Sequence, residues 1–479
     1  MDKAGVVLIT LIAYKLTLIA IGLWAQRRTH DNTDFFLGGR ALGPLVAAIS
    51  YSASASSAWT LLGVSGAAYV LGVSVLWVAA GSILGAAVAW LWIAPRLQYF
   101  SRANDTITLT DFLAHGSSGG VRRAIVLFSS LIIMVSFLFY IASQFQGAGS
   151  AFATSFGLSS YESILIGAGI IMLYTLLGGF WAVSVTDTLQ GLLMAVAAVL
   201  LPLAALVALG GPEGFRQQLL AVSSPSQLSL TAGNTGLLAV GAVAGSLAIG
   251  MGTYGQPHLL VRFMALRDER ARRHATVISL LWYVVVFGGM CFVGLAGHAL
   301  KPQLDNPENV FFVLTDQLFV PVLSGVLLAA VLSAIMSTAD SQLLVAASAV
   351  VHDLGLERHT GIGALSLSRL TIVLLVVAAT LVALLLPSDI FTRVLFAWIA
   401  LGSAFGPLVF VRLARREVAA GAVLASMVTG FGLAVLLYLY ADVVHDLAER
   451  LLPFAVALLV LLLWPDPRNA HGRAPQGAG

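Results

Sequence analysis

The sequence predicts an all-α polytopic membrane protein of about 13 transmembrane helices, and three observations predict it. The 479 residues are 59% hydrophobic and only 10% charged, where a water-soluble domain carries about 25% charge on its surface. Apolar runs close to the roughly 20 residues needed to cross the hydrocarbon core recur along almost the whole chain. These runs do not alternate apolar and polar residues over about ten positions, as the strands of a membrane barrel do.

By that length, thirteen spans run approximately 5–25, 41–71, 73–98, 123–154, 160–181, 186–209, 236–263, 274–299, 318–351, 367–386, 390–413, 417–440 and 446–464. The first, Gly5 to Ala25, is interrupted only by Lys15. It suits a retained membrane helix better than a short cleavable signal core. The longest loops, around 100–122, 210–235 and 300–317, are too short for a soluble domain. Residues 1–464 therefore read as a single transmembrane domain, and the polar stretch 465–479 as a disordered cytoplasmic tail.

Lysine and arginine set the expected orientation. With the N-terminus outside, 19 of the 25 basic residues fall on the cytoplasmic side, among them Arg27, Arg28, Arg40, Arg262, Arg358, Arg412, Arg415, Arg416, Arg468 and Arg473. Net charge is only +3, so nothing points to nucleic acid. Cys291 is the single cysteine, which excludes an internal disulfide and a thiolate metal cluster.

Two spans are interrupted in the same way. The second holds the serine-rich stretch Ser50 to Trp59; the seventh holds Gly245, Gly250, Gly252, Thr253, Tyr254, Gly255, Gln256 and Pro257. Proline removes an amide donor and glycine removes the bias toward helix. Backbone freed at membrane depth is tolerated only where it lines a polar cavity. Counted from the second span, the breaks fall in helices one and six of a ten-helix set. That spacing suggests a 5+5 repeat core, 41–209 and 236–413, with 5–25 and 417–464 peripheral. Paired discontinuous helices in two halves point to a transporter's central site. The blander reading is that Ser and Gly here only permit close helix packing.

Polar groups inside spans narrow the site. Asp187 follows Thr186 near the start of the sixth span, and Asp340 lies in the ninth behind Ser337 and Thr338. An intramembrane acid is expensive and marks a functional site by default. Ser337 and Asp340, three apart, share a helix face. Hydroxyls of this kind, with carbonyls of a broken helix, suit Na⁺, although Ser and Thr can also bond back to their own helix. His258 reads as a packing residue. No nucleophile triad, HExxH or phosphate loop is present, so no enzyme and no cofactor are expected.

At five segments the chain resembles the sodium:solute symporter family, and within it the bacterial sodium/proline symporters. These are Phe36 to Pro44, Leu173 to Phe180, Thr186 to Gln190, Gly255 to His258 followed by Arg262 to Ala265, and Met336 to Thr338 continued through Gln342 to Val345. The resemblance implies an inverted-repeat fold, alternating access and Na⁺ as coupling ion. It implies a Na⁺ site from backbone oxygens of Ala53, Ser56 and Ala334 with the hydroxyls of Ser337 and Thr338. Arg40 takes a position important to proline carriers and is the expected coupling residue. Asp187 matches an acid tied to cation coupling or gating. Substrate contacts are expected from Ser57, Ala58, Trp59, Tyr140, Ile249, Thr253 and Pro257.

The chain departs from the proline pattern at the pocket itself. It has Ala55 where those carriers have Asp, and Ile249 and Thr253 where they have Trp and Tyr. Asp340 stands where the best-known proline carrier has Ser, so Asp187 and Asp340 are candidates for a second cation or a gating role. The expected function is sodium-coupled import of a small amino acid, proline first, across a bacterial inner membrane. The alternatives are symport of another amino acid or a carboxylate, and a transporter-like sensing module. Expected partners are the solute, Na⁺ and membrane lipid, with no obligate protein partner.

Overall fold

A computed structural model describes residues 3–26, 37–176, 180–357, 361–386, 388–414, 417–440 and 446–464. The expected tail 465–479, and Arg27, Arg28, Arg358, Arg415, Arg416, Arg468 and Arg473, lie outside the described residues.

The described residues are helical, without a named strand. Ten stretches are long and apolar enough to cross a membrane. One of them, Pro44–Ala103, turns back at Gly72, whose φ of 68° suits glycine. A side chain there would also run into the Gln227 carbonyl, 2.0 Å from the Cβ position. The thirteen-span reading further needs two helices that are shorter or more charged, α8 and α19.

Helix α1 (Lys3–Gln26) comes first, with 17% of its best apolar window buried. The first interrupted pass is α2 (Pro44–Ala58), a wide turn over Trp59–Val64, and α3 (Ser65–Leu71). Helices α4 (Leu76–Val88) and α5 (Ala94–Ala103) return across the layer, joined by a wide turn over Ala89–Ile93. The short α6 (Leu109–Ala114) starts at a capping box in which Thr108 and Asp111 satisfy each other's backbone amides. The long α7 (Gly119–Phe156), α8 (Ser160–Thr175) and α9 (Phe180–Ala208) follow. After α10 (Gly211–Val222), the second interrupted pass is α11 (Gly236–Ala248), a 3-10 segment Ile249–Gly255, and α12 (Pro257–Met264). The chain continues with α13 (Glu269–Leu300), α14 (Val310–Leu318), α15 (Pro321–Ser348), α16 (Ala364–Leu385), α17 (Ile390–Ala414), α18 (Ala420–Leu439) and α19 (Asp446–Leu463).

Both breaks fall where the Ser-rich and Gly/Pro-rich runs predict them. Helix α2 is packed between α9, α13 and α15. The 3-10 segment is packed against α4 and α17. Gly252 makes the second approach possible: a Cβ there would sit 2.0 Å from Trp398 Cδ1. Helices α15 and α17 are the most enclosed, with 83% and 89% of their best apolar windows buried. They carry the polar and aromatic walls of the centre, while α1, α9 and α18 present most of their apolar surface outward.

Candidate functional site

The break in α2 is centred on Ser57, a non-glycine residue at φ 52°, ψ −172°. Such geometry costs energy and persists only where its surroundings hold it. Here the diverted amides find side chains. The Ala58 N–H donates to Gln144 Oε1 at 3.0 Å, and the Trp59 N–H donates to Ser57 Oγ at 3.1 Å. The Ser54 carbonyl, which a regular helix would pair with Ala58, instead accepts from Thr338 Oγ1 at 3.0 Å.

Thr338 Oγ1 also lies 3.1 Å from the Ala334 carbonyl, and Ser337 Oγ donates to that carbonyl at 3.2 Å. All of these side chains are buried. Hydroxyl and carbonyl oxygens of α2 and α15 thus converge at the break. A hard cation that prefers several neutral oxygens fits this donor set. Ala53 and Ser56 flank Ser54 in the last turn of α2, and Ser56 Oγ is buried with no hydrogen-bond partner among the described residues. The Ser54 carbonyl was not among the expected ligands, because only the direction of the break reveals which oxygen turns toward α15.

One turn deeper in α2 sits a buried ion pair. Asp187 Oδ2 accepts from Arg262 Nη2 at 2.8 Å, from Ser50 Oγ at 2.7 Å and from Ser54 Oγ at 3.2 Å. Arg262 also donates to Ser50 at 2.8 Å, Ser54 at 2.8 Å and Ser341 at 2.6 Å. The Arg262 and Asp187 side chains are 1% and 0% exposed. Arginine's fork of donors suits such a junction. This pair ties α2, α9, α12 and α15 together. Arg262 entered the sequence reading as a charge flanking a span; it is a buried component of the centre. Arg412 is likewise buried, donating to the Phe112 carbonyl at 2.9 Å and the His115 carbonyl at 2.6 Å.

The second break forms one wall of a narrow, largely aromatic space. Trp398 Nε1 donates to the Ile249 carbonyl at 3.0 Å, and Gln256 Nε2 donates to the carbonyls of Gly252 at 3.0 Å and Trp398 at 3.1 Å. The bonds to Ile249 and Gly252 serve carbonyls of the 3-10 segment, and the bond to Trp398 ties Gln256 to α17. Between the two breaks is a narrow cavity lined by Ala55, Trp59, Ser82, Tyr140, Ile249, Thr253, Tyr283, Phe287 and Trp398, among others. Of the expected contacts, Trp59, Tyr140, Ile249 and Thr253 share this wall. Ser57 reaches it through a 3.4 Å hydrogen bond from the Tyr140 hydroxyl. Ala58 is buried beneath the break, close to Gly147. Sequence reading missed Ser82, Tyr283, Phe287 and Trp398, since an aromatic in an all-apolar span looks the same facing a pocket or a neighbouring helix.

Pro257 lies elsewhere. It lines a second small cavity with Thr108, Thr110, Val261, Arg262, Ser341 and Asp353. Thr108 Oγ1 donates to Asp353 at 2.8 Å, and His352 Nε2 lies 3.1 Å from Asp111 Oδ2. Asp111, His352 and Asp353 have ligand atoms within 4.8 Å of one another, a spacing compatible with a metal ion. Burial acts to raise the Asp111 carboxyl, but the hydrogen bond and charge of His352 hold it below the ordinary carboxylate range. Arg40 is at this same end, with φ 54°, donating to Ser101 Oγ at 2.7 Å and to the Thr106 carbonyl at 3.2 Å. It is not among the residues that line either cavity. His258 packs edge-on against Phe137 and Tyr140.

The opposite end is closed by aromatic stacking and one carboxylate. Trp59 stacks on Phe391 at 5.3 Å and tilts against Phe287 at 6.2 Å. Glu308 accepts from the amides of Ile390 at 3.1 Å and Phe391 at 3.0 Å, capping the N-terminus of α17.

The chain matches the sodium:solute symporter family over residues 35–430. It is 37% identical over 437 residues to the osmoregulated proline transporter OpuE of Bacillus subtilis (strain 168), covering 88% of this chain and 87% of that one. It is 36% identical over 435 residues to sodium/proline symporter 2 of Staphylococcus saprophyticus subsp. saprophyticus, covering 88% and 84%. Its fold is that of a solved Na⁺-coupled sialic acid symporter in a substrate-bound outward-open state, with a TM-score of 0.79 at 17% identity, covering 96% of this chain and 97% of the other. By that match over most of its length and by relatives of this identity, the chain belongs to the sodium:solute symporter family.

Proposed function

We propose that the protein is a sodium-coupled symporter that imports proline or a close analogue across a bacterial plasma membrane by alternating access. The observation that carries this reading is the convergence of the Ser337 and Thr338 hydroxyls with the Ser54 and Ala334 carbonyls at the break in α2. It lies beside a pocket whose walls come from both interrupted helices. Curated relatives that cover most of this chain are proline transporters by name, and several are named for sodium as well.

In this reading Na⁺ is a transported substrate. Ala53, Ser54, Ser56 and Ala334 supply carbonyls, and Ser337 and Thr338 supply hydroxyls. Trp59, Tyr140 and Trp398 enclose the solute, and Ser57 offers a polar contact at the pocket edge. Organising the break in α2 makes the ion site and the solute wall together, so each ligand strengthens the other's binding, as linkage requires. The repeats 41–209 and 236–413 then rearrange around the pair. The N-terminus faces outside and the Arg40 end faces the cytoplasm, in line with the lysine and arginine bias.

One charge moving through 100 mV supplies about 2.3 kcal/mol. A tenfold Na⁺ gradient adds about 1.4 kcal/mol. Their sum supports roughly 500-fold accumulation at one Na⁺ per solute.

The absence of Asp, Trp and Tyr at positions 55, 249 and 253 favours a second reading, in which the pocket takes another small amino acid or carboxylate. A thermal-shift screen separates them. Proline should raise the melting temperature only when Na⁺ is present, since a ligand that binds only the folded state stabilises it by mass action. A larger Na⁺-dependent shift with another solute would select the second reading.

A further inference from the structure

Two acids, one arginine and one lysine are set into the helices around the break in α2, with the His258 imidazole beside them. Arg262 answers Asp187. The remaining acid is Asp340 on α15, 0% exposed. Thr175 of α8 donates to its Oδ1, while Oδ2 is buried with no hydrogen-bond partner among the described residues. An intramembrane carboxylate left in that state is costly, so something must balance it.

The lysine is Lys15, on α1. It lies 12 residues after Lys3 and 11 before Gln26, the two ends of α1. At 1.5 Å per residue, either helix end is about 17 Å away or more. A lysine side chain cannot snorkel that far to water. Instead it turns inward. Its ammonium contacts the sulfur of Met336, one turn before Asp340. The neighbouring Tyr14 hydroxyl meets Ser333. Ser333, Met336 and Asp340 follow the i, i+3, i+7 stripe of one helix face, so α1 is laid along the stripe that carries the acid. Lys15 and Asp340 are not in direct ion-pair contact, but the charge of each acts on the other at longer range. Asp187 is the other charge that Asp340 senses, and it is already engaged by Arg262.

We propose that the Lys15 ammonium is the built-in counter-ion of Asp340, so that this acid is balanced by the protein and not by a cation taken from solution. The four charges then sum to zero before any ion arrives. Na⁺ held by the neutral oxygens of Ser337, Thr338 and the carbonyls brings a single positive charge to a neutral centre. Without Lys15, Asp340 becomes an acceptor for a further Na⁺. This ion count rests on the sodium-coupled reading. The pairing of Lys15 with Asp340 does not.

The test is a double-mutant cycle on the melting of the purified full chain in Na⁺-free choline chloride. Lys15→Met should lower the melting temperature by several degrees. Adding Asp340→Asn to it should recover at least half of that loss, and Lys15→Arg should stay close to the parent. Losses that simply add in the double variant would overturn the pairing, because coupled partners are non-additive. If Lys15→Met yields no folded protein, recovery of folding in Lys15→Met/Asp340→Asn supports the pairing, and its continued failure contradicts it. Replacing choline with Na⁺ should then raise the melting temperature of Lys15→Met by more than that of the parent, and the excess should vanish in the double variant. Equal Na⁺ shifts in all three would overturn the consequence for ion count while leaving the pairing to the choline cycle.

Discussion

The Arg262 guanidinium donates to the Asp187 carboxylate at 2.8 Å, with neither side chain exposed to water. The pair spans α12 and α9 and encloses Ser50 and Ser54 of the broken helix between them. Breaking a buried pair from one side leaves an uncompensated charge and costs about 3–5 kcal/mol. Arg262→Met and Asp187→Asn should therefore each depress the melting temperature strongly, with the double variant less damaged than the sum. Melting curves of the three proteins check this. Additive losses would mean that the two side chains act independently.

The oxygen site makes its own prediction. Thr338→Val keeps the shape of the side chain and removes the hydroxyl that bridges the Ser54 and Ala334 carbonyls. The Na⁺ concentration for half-maximal uptake should rise at least about tenfold, equivalent to 1.4 kcal/mol. Ser337→Ala should act in the same direction. Solute affinity measured at saturating Na⁺ should change much less in both variants.

Gly252 lets the 3-10 segment lie against Trp398. Gly252→Ala places a methyl group 2.0 Å from Trp398 Cδ1, closer than any real contact. Overpacking of this kind costs about 1–3 kcal/mol. Because the Trp398 indole also holds the Ile249 carbonyl, the shift should reach the solute pocket. Solute binding should fall by more than Na⁺ binding, as read by calorimetry on each ligand.

A pH effect is expected at the α6 end. Burial, and then the nearby Arg412 guanidinium, hold the His115 imidazole below its ordinary range. The folded state prefers the neutral ring, so its stability is complete above the unfolded value near 6.5 and falls as pH drops below it. His115→Phe keeps a ring against Phe100, whose centroid lies 5.0 Å away. That variant should lose less stability than the parent between pH 7.5 and pH 5.5, as read by the melting temperature. An unchanged pH dependence would assign the acid sensitivity to other groups.

How far the sequence discloses this site depends on the residue. The breaks are legible because Ser50 to Trp59 and Gly250 to Pro257 violate the composition of an apolar span. Ser337 and Thr338 are legible because two adjacent hydroxyls next to an acid are rare at membrane depth. Arg262 is not, since an arginine near a span end reads equally as a topology charge. Trp398, Tyr283 and Phe287 are not, because helices that are hydrophobic all round give no moment to say which side faces a pocket. The meeting of Lys15 with the Asp340 stripe depends on how α1 lies on α15, and each polar residue alone shows only that something must balance it.

The central claim, sodium-coupled proline symport, is tested most directly by uptake of labelled proline into proteoliposomes holding the purified full chain. An imposed inward Na⁺ gradient should drive transient accumulation above the external concentration, and dissipating the gradient should abolish it. Proline uptake of the same size and course with and without the Na⁺ gradient, or no uptake at all, would contradict it.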